Sequence, residues 1–192
     1  ARALAYCAAS HSDLAHHAAD EAVRRENQAI YEYLVPVVKG HSTEMANEIT
    51  SLGIQVHGGM GFIEETGAAQ HYRDARILSI YEGTTAIQAN DFVGRKTVRD
   101  GGTVAKALCD RIAATEQELA ALGQEDSLAM SRGLQCARLA LESTVDFIVA
   151  HAKSSPKPVY AGAVNYLKLA GLVLGGWQMA RAMLAAVRNR SQ

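Results

Sequence analysis

The segment from Leu78 to Asp91, LSIYEGTTAIQAND, places a lone carboxylate, Glu82, between an apolar run and a glycine. Three roles suit such a residue: a salt-bridge partner, a charge at the start of a helix, or a catalytic base. The dipole of a helix stabilises an anion near its N-terminus, and the free N–H groups there can also hold the polar edge of a ligand. A carboxylate in a dry, apolar site becomes a stronger base. The local sequence leaves the three roles open.

A second segment with possible chemistry is the glycine-rich run from Ile54 to Phe62, IQVHGGMGF. It suits the end of a helix followed by a tight turn. Closely spaced glycines also let a backbone approach a phosphate or a flat ring without an intervening side chain. Gln55 could offer its amide to a polar ligand from the end of the helix. Both interpretations stay open on these residues alone.

The remaining polar residues favour structural roles. The segment YRDARI, from Tyr72 to Ile77, indicates a cluster of ion pairs. The seven histidines show no HExxH or similar spacing, so no metal site is predicted. Three scattered cysteines without CxxC spacing argue against a disulfide framework or a zinc knuckle, and they favour the reducing cytoplasm. They are Cys7, Cys109 and Cys136.

Charge and hydropathy exclude some partners. The net charge of −1 argues against a nucleic-acid binder, whose affinity depends on neutralised phosphates. No dense group of lysines or arginines suggests a membrane-binding patch. The apolar stretch 169–187 is close to the minimum length for a membrane span, but Gln178 and Arg181 interrupt it. We therefore expect a helix of a bundle here and no membrane partner.

The composition predicts an all-α fold, because alanine and leucine dominate and only three prolines occur. Helices are expected at about 1–17, 20–33 and from Pro36 to about 56, since proline ends or kinks a helix. The HGGMG run ends the third helix. A non-helical stretch should then cover about 62–66, followed by short helical turns over 67–80. Thr84 or Thr85 can cap the next helix.

The character of the sequence changes after Gly101 and Gly102. Three long amphipathic helices are expected at about 103–122, 127–152 and 158–189. Asp126 or Ser127 would cap the second, and Pro156 or Pro158 would occupy the first turn of the third. The expected fold is an antiparallel helical bundle over residues 1–100 with a helical C-terminal extension over residues 101–192.

Two segments together, LGIQVHGGMGFIEE and YRDARILSIYEGTTAIQ, resemble the C-terminal signature of the acyl-CoA dehydrogenases. That signature has a Q-x-x-G-G-x-G-[FY] segment, then R-D, then I-Y-E-G-T and a trailing Q. The matching positions are Gln55, Gly58, Gly59, Gly61, Phe62, Arg73, Asp74, Tyr81, Glu82, Gly83, Thr84 and Gln88. A less specific similarity covers roughly residues 1–100. The tail resembles the branch of the family that has a C-terminal extension.

The resemblance implies a flavoenzyme that uses FAD to insert a trans α,β double bond into an acyl-CoA thioester. The base of the family maps onto Glu82, which would remove the α-proton. On the substrate side the resemblance assigns Tyr81 and Gly83. On the flavin side it assigns Gln55, Gly58, Gly59, Thr84 and Gln88.

The same resemblance implies partners and a setting. They are an acyl-CoA substrate, electron-transfer flavoprotein as electron acceptor, and a homo-oligomer, either a dimer or a tetramer, in the cytoplasm. The sequence shows nothing like the family's N-terminal helical domain or middle β-domain. We therefore expect a C-terminal portion that is inactive alone. The alternatives are a helical interaction module without catalysis, and an acyl-CoA oxidase.

Overall fold

A computed structural model describes the backbone of residues 1–190 and the side chains of residues 1–189. Between residues 1 and 190 the elements are helices, without a strand, which confirms the all-α prediction. In chain order they are α1 (Arg2–His17), α2 (Glu21–His57), α3 (Gly59–Phe62), a 3₁₀ turn (Glu64–Thr66), α4 (Ala68–Leu78), α5 (Thr85–Val93), a π-helical turn (Gly94–Val98), α6 (Thr103–Ala121), α7 (Glu125–His151), α8 (Pro156–Ala161) and α9 (Ala163–Arg190).

Helix α2 is a single helix of 37 residues, so the prediction that Pro36 separates two helices is wrong. A proline inside a helix removes one backbone donor and crowds the preceding turn. Pro36 itself is buried, and Tyr33 and Val37 beside it are buried in the core. Packing on both sides of the proline therefore offsets the local cost. The uninterrupted helix is about 55 Å long and reaches across the molecule.

The end of α2 agrees with the sequence prediction. Gly58 has a φ of 62°, which favours glycine, and its N–H donates to the carbonyl oxygen of Gln55. The segment after it is more helical than expected. Helix α3 lies in the glycine-rich run, and the 3₁₀ turn lies within the stretch 62–66 that was expected to be non-helical. Helix α4 is a full helix of 11 residues where short turns were expected.

Two predictions for the second half of the chain differ from the structure. Helix α7 has Gln124 as its N-cap residue, not Asp126 or Ser127, and the Ser127 hydroxyl instead donates to the carbonyl oxygen of Gln124 at 2.8 Å. The expected helix over 158–189 consists of α8 and α9, which meet at Gly162. Pro156 occupies the first turn of α8, as predicted.

One continuous core joins the first and second halves of the chain. Helix α9 packs on α2, α5, α6 and α7. The Phe92 ring lies between Tyr33 and Tyr166, with centroid distances of 4.7 and 4.6 Å. The Tyr166 hydroxyl is 2.9 Å from Thr97 Oγ1 and 3.2 Å from the Tyr33 hydroxyl. The division into domains at residues 100 and 101 stays a prediction, and both parts contribute to this core.

Helix α9 is the helix among the described residues that is long and apolar enough to cross a membrane, by length and composition alone. Tyr166, Leu167, Ala170 and Leu174 are buried in the core along its length. A core helix passes the same length and composition criteria, and these contacts support that interpretation.

A nearly buried ion-pair cluster joins α6 to α7. The Arg138 guanidinium contacts both carboxylate oxygens of Glu116, at 2.8 and 3.1 Å, and one of Glu142 at 2.9 Å. These carboxylates raise the pKa of Arg138. Because Glu116 is buried, its charge depends on this one arginine for compensation.

Replacing Arg138 by methionine should destabilise the chain by about 3 kcal/mol, because an unpaired carboxylate would remain buried. The measurement is urea unfolding followed by circular dichroism. Arg132→Met is the matched control on the same helix, at an exposed position, and should change the free energy of unfolding by less than about 0.5 kcal/mol. Equal effects of the two substitutions would contradict this account.

Candidate active site

The Glu82 turn, residues 81–84, connects α4 to α5. Thr84 is the N-cap of α5: its hydroxyl accepts a hydrogen bond from the N–H of Ile87 at 3.3 Å. The Thr84 carbonyl oxygen accepts from the N–H of Gln88 at 3.0 Å. Of the two threonines predicted as caps, Thr84 therefore has this role. The turn lies at the positive end of the α5 dipole.

Glu82 has a strained backbone. Its φ is 52°, and it is the one non-glycine residue with positive φ in the described part of the chain. An L-residue in the left-handed region costs about 1–2 kcal/mol relative to its ordinary conformation. Residues of this kind persist where their surroundings enforce them, and they cluster at functional sites. The Glu82 side chain is exposed and has no ion-pair partner among the described residues, which does not favour a salt-bridge role.

Gly83 continues the turn with a φ of 97°. A Cβ atom at this position would lie 2.6 Å from Nε2 of Gln88, so only glycine allows this amide to lie against the backbone. The half-buried Gln88 side chain thus supports the turn from the first helical turns of α5. The contact brings two of the predicted site residues together.

Helix α2 holds both ends of the turn. The Lys39 ammonium donates to the carbonyl oxygen of Tyr81 at 3.0 Å and also to that of Leu78. It lies 5.0 Å from the centroid of the Tyr81 ring, a cation–π distance. After the turn, the Thr85 hydroxyl donates to the carboxylate of Glu44. These contacts constrain the backbone on each side of Glu82.

Ser79, which is buried just before the turn, also joins α4 to α2. Its hydroxyl accepts from Asn47 Nδ2 of α2 at 3.0 Å and from the guanidinium of Arg76 at 2.8 Å. Lys39, Glu44 and Asn47 were not predicted as site residues. Polar residues on a long helix are usually in contact with solvent, and the sequence contains no local signal for contacts to residues more than thirty positions away.

The predicted flavin-side residues of the glycine-rich run form a separate group at the end of α2. Gln55, Gly58 and Gly59 are exposed, and a Cβ atom at either glycine would meet no atom within 4 Å. The backbone is therefore open to the approach of a ligand or another protein segment. Val56 and Phe62 beside it are 85% and 79% exposed. The assignment of these residues to a cofactor stays a prediction.

Of the ion-pair cluster predicted for the YRDARI segment, one ion pair is present among the described residues. The Arg73 guanidinium contacts both carboxylate oxygens of Glu64, at 2.9 and 2.6 Å, which ties α4 to the 3₁₀ turn. Asp74 accepts from Gln70 Nε2 at 2.6 Å. Within residues 1–189 no group of three histidine, cysteine or carboxylate side chains is arranged to hold a metal ion.

Sequence comparison matches this architecture to known families. The family described as "Acyl-CoA dehydrogenase, C-terminal domain" matches residues 1–96. The chain belongs to the acyl-CoA dehydrogenase family. A second family, "Acetyl-CoA dehydrogenase C-terminal like", matches residues 104–192. The Glu82 turn and the glycine-rich run both lie within the first match.

Similar proteins cover nearly the whole chain. It is 52% identical over 185 residues to 3-methylmercaptopropionyl-CoA dehydrogenase of Ruegeria pomeroyi, covering 96% of this chain and 31% of that protein. It is 36% identical over 189 residues to butyryl-CoA dehydrogenase of Syntrophomonas wolfei, covering 96% of this chain and 30% of that protein. The chain thus spans about a third of these relatives and corresponds to the C-terminal part of proteins named as enzymes.

A solved structure supports the fold. The structure titled "Bd2924 apo-form" superposes with a TM-score of 0.65 at 20% sequence identity, covering 93% of this chain and 30% of that one. At this identity the likeness concerns the arrangement of helices. It agrees with the helical bundle described above.

Replacing Lys39 by methionine should loosen the Glu82 turn, because the apolar stem remains while the donors to Leu78 and Tyr81 are lost. Hydrogen bonds from a charged group are worth about 1.5–3 kcal/mol, so amide exchange over residues 80–83 should accelerate by about tenfold or more. Hydrogen–deuterium exchange with mass spectrometry measures this. Lys153→Met, at an exposed position, is the control. Unchanged exchange in the Lys39 variant would show that the turn does not need these bonds.

Proposed function

We propose that the full-length protein is an FAD-dependent acyl-CoA dehydrogenase and that Glu82 is its catalytic base. The observation that carries the proposal is the strained, constrained backbone of Glu82 at the start of α5. A carboxylate that served only as a helix-start charge would gain nothing from a left-handed conformation. The sequence similarity to named acyl-CoA dehydrogenases supports the same reading.

In this proposal Glu82 accepts the α-proton of an acyl-CoA thioester on a carboxylate oxygen. The thioester carbonyl acidifies that proton, and negative charge develops on the carbonyl oxygen as the proton leaves. Backbone N–H groups of the turn and of the first residues of α5 are suitable donors for this charge. FAD, when bound, would supply the redox chemistry by accepting the hydride from the β-carbon. The product is a trans α,β-unsaturated thioester.

The remaining predicted residues would position the reactants. Tyr81, which is 47% exposed, would line the acyl pocket, and Gly83 would face the substrate. Thr84 and Gln88 would contact the flavin near the turn. The diphosphate part of the flavin cofactor would approach the glycine-rich run, where no side chain blocks the backbone.

Further parts of the proposal rest on the family. The protein would act as a homo-oligomer in the cytoplasm and pass electrons to electron-transfer flavoprotein. An acyl-CoA oxidase would share the same turn and differ in its electron acceptor, so oxygen consumption by the full-length protein would distinguish the two. The exposed Glu82 also implies that other parts of the protein exclude water from the site.

Replacing Glu82 by glutamine in the full-length protein should lower turnover of acyl-CoA by about 10²–10⁴-fold, the usual contribution of a general base. The amide keeps the shape of the side chain, so flavin content and ligand affinity should stay near those of the unmodified protein. Steady-state assays and ligand titration measure these quantities. Glu48→Gln, at an exposed position on α2, is the control. Near-normal turnover of the Glu82 variant would refute the assignment.

The isolated chain should not bind FAD tightly, because the predicted contacts lie on exposed segments of an incomplete site. Titration of FAD into the chain, followed by flavin fluorescence, tests this, with the full-length protein as the positive control. Tight stoichiometric binding by the isolated chain would contradict the proposed dependence on the rest of the protein.

A further inference from the structure

A groove of about 940 Å³ lies between α1, α6 and α9, on residues that do not include the Glu82 turn. Much of its wall is apolar, with Leu14, Ala114 and Leu184 among the lining residues. Trp177 and Gln178 also line it, and Arg181 provides a positive charge. The groove thus has an apolar body and a cationic corner.

Arg181 has no carboxylate partner among the described residues. The two other arginines of the groove are neutralised: Arg111 by Glu26 at 2.5 Å and Arg188 by Glu118 at 2.6 Å. The Arg181 guanidinium instead donates to Gln178 Oε1 at 2.9 Å. It also interacts with the Cys7 thiol but with no carboxylate among the described residues, so its charge is available to an anion.

The position of Arg181 is defined by its neighbours. Its guanidinium carbon lies 5.3 Å from the centroid of the Trp177 ring. The indole itself is held by a 2.8 Å hydrogen bond from its Nε1 to the hydroxyl of Thr115 on α6. An arginine over a fixed aromatic ring loses less conformational freedom on binding a ligand than a fully mobile one.

Gln178 supplies a second, independent observation. Its side chain is only 7% exposed, and its buried Nε2 has no hydrogen-bond acceptor in the structure. A buried amide donor without an acceptor is unfavourable, and such groups are uncommon in folded proteins. This atom has almost no accessible surface, so an acceptor oxygen from a ligand in the groove would reach it only after the amide turns toward the groove, beside the Arg181 guanidinium.

We propose that this groove binds a small amphipathic carboxylate. The planar guanidinium of Arg181 matches the two oxygens of a carboxylate, and the Gln178 amide, once turned toward the groove, would add a further donor. The apolar wall accommodates a short hydrocarbon body. The proposal uses none of the residues assigned to dehydrogenation, so it stands or fails independently of the proposed function.

The chain carries its own reporters for a test in the full-length protein. Cys7 lines the groove and is partly buried, whereas Cys136 is exposed on α7. Alkylation by iodoacetamide can be followed separately at each cysteine by mass spectrometry of peptides. Hexanoate should slow alkylation of Cys7 in a saturable manner and leave that of Cys136 unchanged. Hexanamide, which has the same body without the charge, should have no effect at the same concentration.

Variants connect this protection to the proposed contacts. Arg181→Met should raise the hexanoate concentration for half-protection about tenfold or more, as expected for the loss of a charge-assisted hydrogen bond. Arg132→Met, an exposed arginine outside the groove, should leave it unchanged. Gln178→Leu should weaken protection while resistance to urea stays equal or rises, because the unsatisfied donor is removed. A purely structural glutamine would instead lower that resistance.

Four results would overturn the proposal: no protection by hexanoate, equal protection by hexanamide, an unchanged midpoint in Arg181→Met, or a Cys7 that is already inaccessible in the unliganded full-length protein. The last result would mean that another segment fills the groove. None of these outcomes depends on dehydrogenase activity, so they are separate from the test of Glu82.

Discussion

The position of α5 depends on the packing of Phe92 between Tyr33 of α2 and Tyr166 of α9. Aromatic rings at these distances bury a large apolar area and restrict one another's orientation. The tyrosine hydroxyls and Thr97 form hydrogen bonds within the same buried group, so its polar atoms are satisfied. Because α5 starts at the Glu82 turn, the direction of its first residues follows from this contact at its far end.

The strain at Glu82 is tolerable because the turn is constrained from both sides. Phe92 fixes α5 after the turn, and the Lys39 ammonium holds the backbone before it. A left-handed glutamate that was held at one end only could relax to an ordinary conformation and swing its carboxylate away. Helix α2 contributes to both constraints through Tyr33 and Lys39, which lie nearly two turns apart on an unbroken helix. A real break at Pro36, between them, would uncouple the two contacts.

The sequence predicted the local features whose cause is local. Gly58 ends α2 because a left-handed residue is favourable there only for glycine, and Thr84 caps α5 through a bond to a residue three positions away. The prediction of a break at Pro36 was wrong because the burial that keeps the helix continuous comes from other elements. Lys39 was not predicted as a site residue for a similar reason, because its partner Tyr81 lies 42 positions away in the sequence. The positive φ of Glu82 has no sequence signal either, because glutamate rarely adopts it.

If Glu82 is the base that we propose, two requirements of a carboxylate base would be met by different parts of the protein. Precise placement is built into this chain, through the turn and its supports on α2 and α5. Exclusion of water is not, since both Glu82 and Tyr81 are exposed. A base surrounded by water is weak, and a dry pocket without a fixed base is unproductive. The exposed apolar residues Val56 and Phe62 beside the glycine-rich run are of the kind that a covering surface would bury. Under the proposed function, placement and desolvation would be separated in this way, and the full reactivity of Glu82 would depend on assembly of the site.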